Sequence, residues 1–149
     1  MCLRKSLFTI FFCLIAFVAC TSPAQMSANP PHVPEKIRSP EHLEGDLLFL
    51  RGEYKKAIPF FKKVLEKEPN NDEVLFNLGV SYGKLGLHRD AIEAFKQAIR
   101  IKPDAAKAHF NLGLAYLGIG NKGAALDEYK ILKDIDKDKA NKLFNLIYK

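Results

Sequence analysis

Three consecutive stretches of this chain, 38–71, 72–105 and 106–139, repeat one pattern at a period of 34 residues, without gap or insertion. The middle copy carries Leu78, Gly79, Tyr82, Gly86, Ala91, Phe95, Ala98 and Pro103. The third answers with Leu112, Gly113, Tyr116, Gly120, Ala125, Tyr129 and Leu132, and the first keeps Gly45, Gly52, Ala57, Phe61, Val64 and Pro69. A period of this length means that each unit is one supersecondary element, which buries its apolar face only by stacking on a neighbour. Function then belongs to the surface of the stack rather than to an enclosed catalytic pocket.

Within one copy the spacing is helical. Leu75, Leu78, Gly79, Tyr82 and Leu85 recur at three- and four-residue intervals, the apolar stripe of an amphipathic helix. Gly86 ends that helix where a positive φ is needed, and His88, Arg89 and Asp90 are expected to turn the chain. Ala91, Ile92, Phe95, Ala98, Ile99 and Ile101 form a second stripe, which Pro103 stops, and Asp104 is placed to cap the next helix. Small residues at Gly79, Gly113, Ala91 and Ala98 mark where helix backbones approach closely, with Tyr82 and Phe95 filling the space beside them.

Leu-Gly, Tyr, Gly, Ala, Phe or Tyr, Ala and Pro at these intervals resemble the tetratricopeptide repeats over 38–149. The resemblance implies an all-α fold: three tandem helix-turn-helix repeats (38–71, 72–105, 106–139) and a capping helix over 140–149, forming a short right-handed superhelix. Ser39, Pro40 and Glu41 read as an N-cap, a first-turn proline and a dipole-favouring acid, so the first copy still begins with a helix. Glu41 and Glu44 replace the family's apolar residues there, which predicts a polar outer face. At the far end Ala140, Leu143, Phe144 and Ile147 give a helix with one apolar side, suited to closing the stack. Pro59 is expected to bend the second helix of the first copy slightly rather than break it.

The first 37 residues read as an address. Arg4 and Lys5 precede Leu7–Val18, an apolar run of signal-peptide size and too short for a comfortable membrane span. Phe17, Val18, Ala19 and Cys20 resemble the lipobox of bacterial lipoproteins, with Phe17 where Leu is usual. Residues 1–19 are thus expected to be removed and Cys20 acylated; the alternative is an ordinary signal peptide or a short signal anchor in the inner membrane. Cys2 and Cys13 lie within the removed segment, so one thiol remains, which forms neither an internal disulfide nor a metal site by itself. Several acyl chains, at about 0.8 kcal/mol per buried CH₂, make such an attachment durable. Residues 20–37, rich in Pro, Ser, Ala and Asn, read as an extended tether. Thr21 and Ser22 after the cysteine lack the Asp of the enteric retention signal, which favours the outer membrane and a periplasmic-facing domain.

Composition narrows the chemistry. The net charge is +6, and +4 without Arg4 and Lys5. Lysines interleave with acids along the helices, as in a solvated surface, and no Arg-rich aromatic platform supports nucleic-acid binding. Gly118–Gly123 matches GxGxxG letter for letter, but a dinucleotide site needs a strand before it, and here it falls on the turn inside the third copy. None of the P-loop, zinc-protease or nucleophile-elbow patterns occurs. The four histidines, His32, His42, His88 and His109, form no ligand set by spacing, and His109 is expected to pack between helices. No cofactor, metal, catalytic residue or small-molecule substrate is expected.

In the resembled family the first helices of the repeats line a concave groove that holds a segment of a partner protein. Carried over, that face comprises Phe76, Asn77, Val80 and Lys84, then Lys107, Phe110, Asn111 and Leu114, with Glu73 and Leu117 beside them. In the first copy it comprises His42, Asp46 and Phe49. The competing reading packs Phe76 and Phe110 between helices and lets Asn77 and Asn111 bond locally. A subtype that clamps a C-terminal carboxylate is matched only by Asn77 and Lys107, since His42, Asp46 and Asn111 stand where Lys, Asn and Arg are needed. Chaperone-tail binding is therefore rejected. The expectation is a lipid-anchored scaffold or assembly factor in the bacterial cell envelope that binds a protein or peptide; the alternative is a non-catalytic accessory subunit of an envelope enzyme.

Overall fold

A computed structural model describes residues 38–149; the signal-like segment, Cys20 and the Pro-rich stretch lie outside the described residues. The described residues form seven helices: α1 (Pro40–Leu50), α2 (Tyr54–Lys67), α3 (Asp72–Lys84), α4 (His88–Ile101), α5 (Ala106–Gly118), α6 (Lys122–Ile135) and α7 (Lys137–Ile147). Each helix packs on the next in sequence, and the first helices of adjacent repeats also touch. This is the all-α helical-repeat architecture that the period implies.

The punctuation has local causes. Gly52, Gly86 and Gly120 take φ of 76°, 74° and 75° one period apart, the left-handed conformation that ends the first helix of each repeat. Ser39, Asn71, Asn121 and Asp136 cap α1, α3, α6 and α7 by accepting from the backbone N–H three residues on. Two local expectations fail. His88, Arg89 and Asp90 are the first turn of α4, because Gly86 alone reverses the chain and Leu87 already stands at the N-cap position. Asp104 does not cap α5: the cap position falls on Ala105, which has no side-chain acceptor. Pro59 sits inside an unbroken α2.

The core is a chain of three clusters. Leu48, Ala57, Phe61, Val64, Val74 and Leu78 join the first repeat to the second. Ala91, Ile92, Phe95 and Leu112 join the second to the third, and Ala125, Leu132, Ala140, Leu143 and Ile147 close the end. Small residues seat large ones. A methyl group on Gly45 would fall 2.9 Å from the Phe61 ring, and one on Gly79 would fall 2.7 Å from Phe95. In the third repeat the register changes: Leu143 of α7, not Tyr129, covers Gly113, at 2.5 Å from the position of an added methyl. Tyr129 is instead half-buried beside Phe144, ring centroids 5.2 Å apart.

That change begins at Asp136. Four residues separate α2 from α3 and α4 from α5, but Asp136 alone separates α6 from α7, serving as C-cap of one and N-cap of the other. The closing helix therefore starts at Lys137, ahead of the Ala140 boundary that the period suggests. Asp136 also binds the Lys139 ammonium, and that hydrogen bond holds its carboxyl below the usual carboxylate range. At the other end the outer face of α1 is not polar. Leu43, Leu47 and Leu50 are exposed there, while Glu41 turns aside to accept from Lys67 at 3.0 Å.

Candidate partner-binding groove

The first helices α1, α3 and α5 carry the residues expected to line the groove. In α3 the buried stripe Val74, Leu75, Leu78 and Gly79 leaves Phe76, Val80 and Lys84 on the flank toward α5, while Asn77 turns toward α1. Four of the eight expected residues meet at one cleft. Val80 and Lys84 from α3 face Asn111 and Leu114 from α5 across an opening of about 180 Å³, floored by Phe95 and Ala115 and edged by His88. Val80 and Leu114 are half-buried and supply apolar wall; Lys84 is exposed and, with the half-buried Asn111, supplies polar rim. Such a surface accepts an apolar side chain while its donors meet a peptide carbonyl or carboxylate.

Phe76 and Lys107 lie apart from this cleft, in a broader depression of about 550 Å³ shared with Glu73 and Lys139. Phe76 is half-buried with its ring 5.8 Å from that of Phe95, so it both supports the core and shows an edge. Phe110 is half-buried against the cluster around Leu143 and Ala140. Asn111 donates to the Lys107 carbonyl at 2.8 Å, one turn back in its own helix. Asn77 reaches Asp46 at 3.4 Å.

The first repeat contributes less than the carried-over face suggests. His42 is buried, 4% exposed, and its Nε2 lies 3.6 Å from Asp46 Oδ2, beyond hydrogen-bond range. It stands one period before Phe76, yet it is buried where Phe76 is half-buried. Phe49 is half-buried, edge-on to Phe61 and Tyr54. Only Asp46 reaches the groove side, and Arg38 occupies it, donating to Asp46 at 2.7 Å and to Glu73 at 3.0 Å. The Glu73 carboxylate, followed by Asp46, raises the Arg38 guanidinium pKa further.

His109 packs as expected from the sequence. Its Nδ1 lies 2.7 Å from Glu128 and its Nε2 2.8 Å from the Pro103 carbonyl, which leaves the ring 4% exposed and tied to structure at both nitrogens. The glycines of 118–123 serve the helix hairpin. Gly118 lies against His88, whose ring is 2.6 Å from an added methyl, and Gly120 takes the turn with its positive φ. The His88–Gly118 contact escaped the sequence reading. Its one signal is a broken period, with Gly118 where the earlier copies place Leu50 and Lys84. Among the described residues no cluster of three metal-ligating side chains occurs, and no helix is long and apolar enough to cross a membrane.

Residues 76–140 match the family model described as tetratricopeptide repeat, and residues 45–86 match a second described as TPR repeat. The chain belongs to the tetratricopeptide-repeat family. Among solved structures, MamA AMB-1 is 31% identical, aligned over 65% of this chain and 53% of that one, with a TM-score of 0.63. The chain thus spans about half the length of that MamA structure. A point mutant of MamA aligns at 32% identity over 69% of each chain, TM-score 0.60. The Sgt2 TPR domain from Aspergillus fumigatus is 26% identical over 72% of this chain and 74% of that one, TM-score 0.66. The first TPR of Spaghetti, solved bound to the HSP90 peptide SRMEEVD, shares the fold at 20% identity over 72% and 87%, TM-score 0.68. No curated protein sequence matches the chain.

Proposed function

We propose that this protein is a non-catalytic interaction scaffold or assembly factor of the bacterial cell envelope, anchored through Cys20 and holding a segment of a partner protein in its groove. The observation that carries the binding reading is the cleft between α3 and α5, where two repeats bring apolar walls (Val80, Leu114) and polar rim groups (Lys84, Asn111) to one opening. A partner segment in extended form fits such a surface, with an apolar side chain in the cleft and its backbone or an acidic group toward Lys84 and Asn111. The envelope reading rests on the sequence around Cys20 and on the signal-like run before it.

The binding reading is tested by Lys84→Glu combined with Asn111→Ala. Both positions lie at the solvent side, so stability is expected to stay within about 0.5 kcal/mol of wild type. Recovery of co-purifying proteins from solubilised membranes is expected to fall at least several-fold. Undiminished recovery with an intact fold would remove the cleft from the binding surface. The anchor is tested separately: Cys20→Ala is expected to abolish incorporation of labelled fatty acid and to release the protein from membranes or leave the precursor uncut. Equal labelling of the two forms would end the lipoprotein reading without touching the groove.

A further inference from the structure

Among the described residues helix α1 is the outermost of the stack at this end and carries an exposed apolar face. Leu43, Leu47 and Leu50 are 57%, 40% and 82% exposed. With Pro40 they fall within a sector roughly 80° wide, opposite the buried Gly45, at 100° per residue. One period on, Pro40, Glu44 and Leu47 correspond to Val74, Leu78 and Ser81, buried residues of α3, which stacks on α2. Pro40 and Leu47 of the exposed sector thus lie on the stacking face of a repeat, while Leu43 and Leu50 correspond to Asn77 and Lys84 beside it. A charged end cap would keep such a face polar; here it carries three leucines.

The same sector is flanked on one edge by Glu44 and Arg51, both exposed; neither forms a salt bridge among the described residues, and Arg51 lends only a weak long-range attraction to Glu53. Their positions complement each other. Glu44 lies three residues before Leu47 and Arg51 four after it, while Leu43 and Leu50 bracket Leu47 at four and three. We propose that this face binds a second copy of the chain, α1 against α1, antiparallel about a twofold axis at Leu47. Leu47 then meets its own symmetry mate, Leu43 of each copy faces Leu50 of the other, and Glu44 of each copy faces Arg51 of the other. Antiparallel pairing brings the same flank of both helices together, so each attraction forms twice, as a self-complementary patch requires. A parallel pair would place the two Glu44–Arg51 flanks on opposite edges of the seam, where neither attraction forms. With the axis at Leu47 only residues 44–50 of the two helices overlap, a contact about 10 Å long, so the pair is reversible rather than obligate. The face lies outside the α3–α5 cleft, and this inference stands or falls separately from the partner-binding reading.

The test uses the full-length chain in its own membranes, with a photo-crosslinking amino acid at Leu47. Illumination is expected to give an adduct of twice the chain's mass. Glu44→Arg and Arg51→Glu, each converting two attractions into two repulsions, are expected to reduce its yield by about tenfold. The exchange variant carrying both substitutions is expected to restore it. Leu43→Gln, exposed and remote from the core, is a second route to the same loss and leaves the charges intact. Melting curves of purified variants confirm that each is folded. An adduct with a different protein alone, no adduct, or an exchange variant no better than the single ones overturns the proposal.

Discussion

Deleting residues 137–149 is expected to destabilise the repeat unit by several kcal/mol, on the order of 5, from the loss of Leu143 and Ile147 and the uncovering of Leu132 at roughly 1.5–3 each. All three are at most 1% exposed in the intact stack. The loss is large against the 5–15 kcal/mol typical of a whole domain. It also has a direction. Leu143 fills the space over Gly113, so without α7 the outer side of α5 opens to water while the first repeat keeps its own core around Phe61. Denaturant unfolding of the truncated and intact proteins is expected to show a lower midpoint and a reduced slope, with the third repeat melting first. An unchanged midpoint would mean that α7 does not support the stack.

The second large effect is expected at Phe95, 2% exposed, with its ring seated over Gly79 and beside Phe76. Phe95→Ala is expected to lower stability by about 3–5 kcal/mol, because the helices around a glycine seat collapse little into the space left. Phe76→Ala is expected to cost clearly less, since that ring is only half-buried. Equilibrium unfolding of the two variants, read beside recovery of membrane partners, separates their roles. Equal destabilisation would place Phe76 wholly in the core and take it out of the groove.

The contrast between these aromatics shows what the period discloses. Identical spacing of Gly45, Gly79 and Gly113, and of Gly52, Gly86 and Gly120, announces where helices touch and where they end, because both demands are local to one repeat. The pairing of Gly79 with Phe95 follows from the same reasoning. Leu143 over Gly113 does not, because the period offers Tyr129 for that place and the side chain that fills it comes from α7, beyond the third copy's own hairpin. Depth is the second thing hidden. Helical spacing assigns Phe76, Val80, Phe110 and Leu114 to one face, yet which of them shows an edge depends on how far the neighbouring helix overlaps it. His42 shares the register of Phe76 and is buried all the same. The apolar end of α1 lies in Leu43, Leu47 and Leu50 at helical spacing, and Glu41 and Glu44 at the family's apolar positions mask it.

The four-residue links between repeats have a consequence for how such an array can grow. Where four residues link repeats, a further 34-residue module between Ala105 and Ala106 would meet both neighbours in phase, adding one more α3–α5-type cleft and lengthening the groove. After Ile135 the next helix starts three residues early, yet its buried Leu143 and Ile147 stand one period after the buried His109 and Gly113, so α7 keeps the inward face of a first helix. The scaffold is therefore extensible from within, and its binding length can change by internal duplication without disturbing the helix that packs over Gly113.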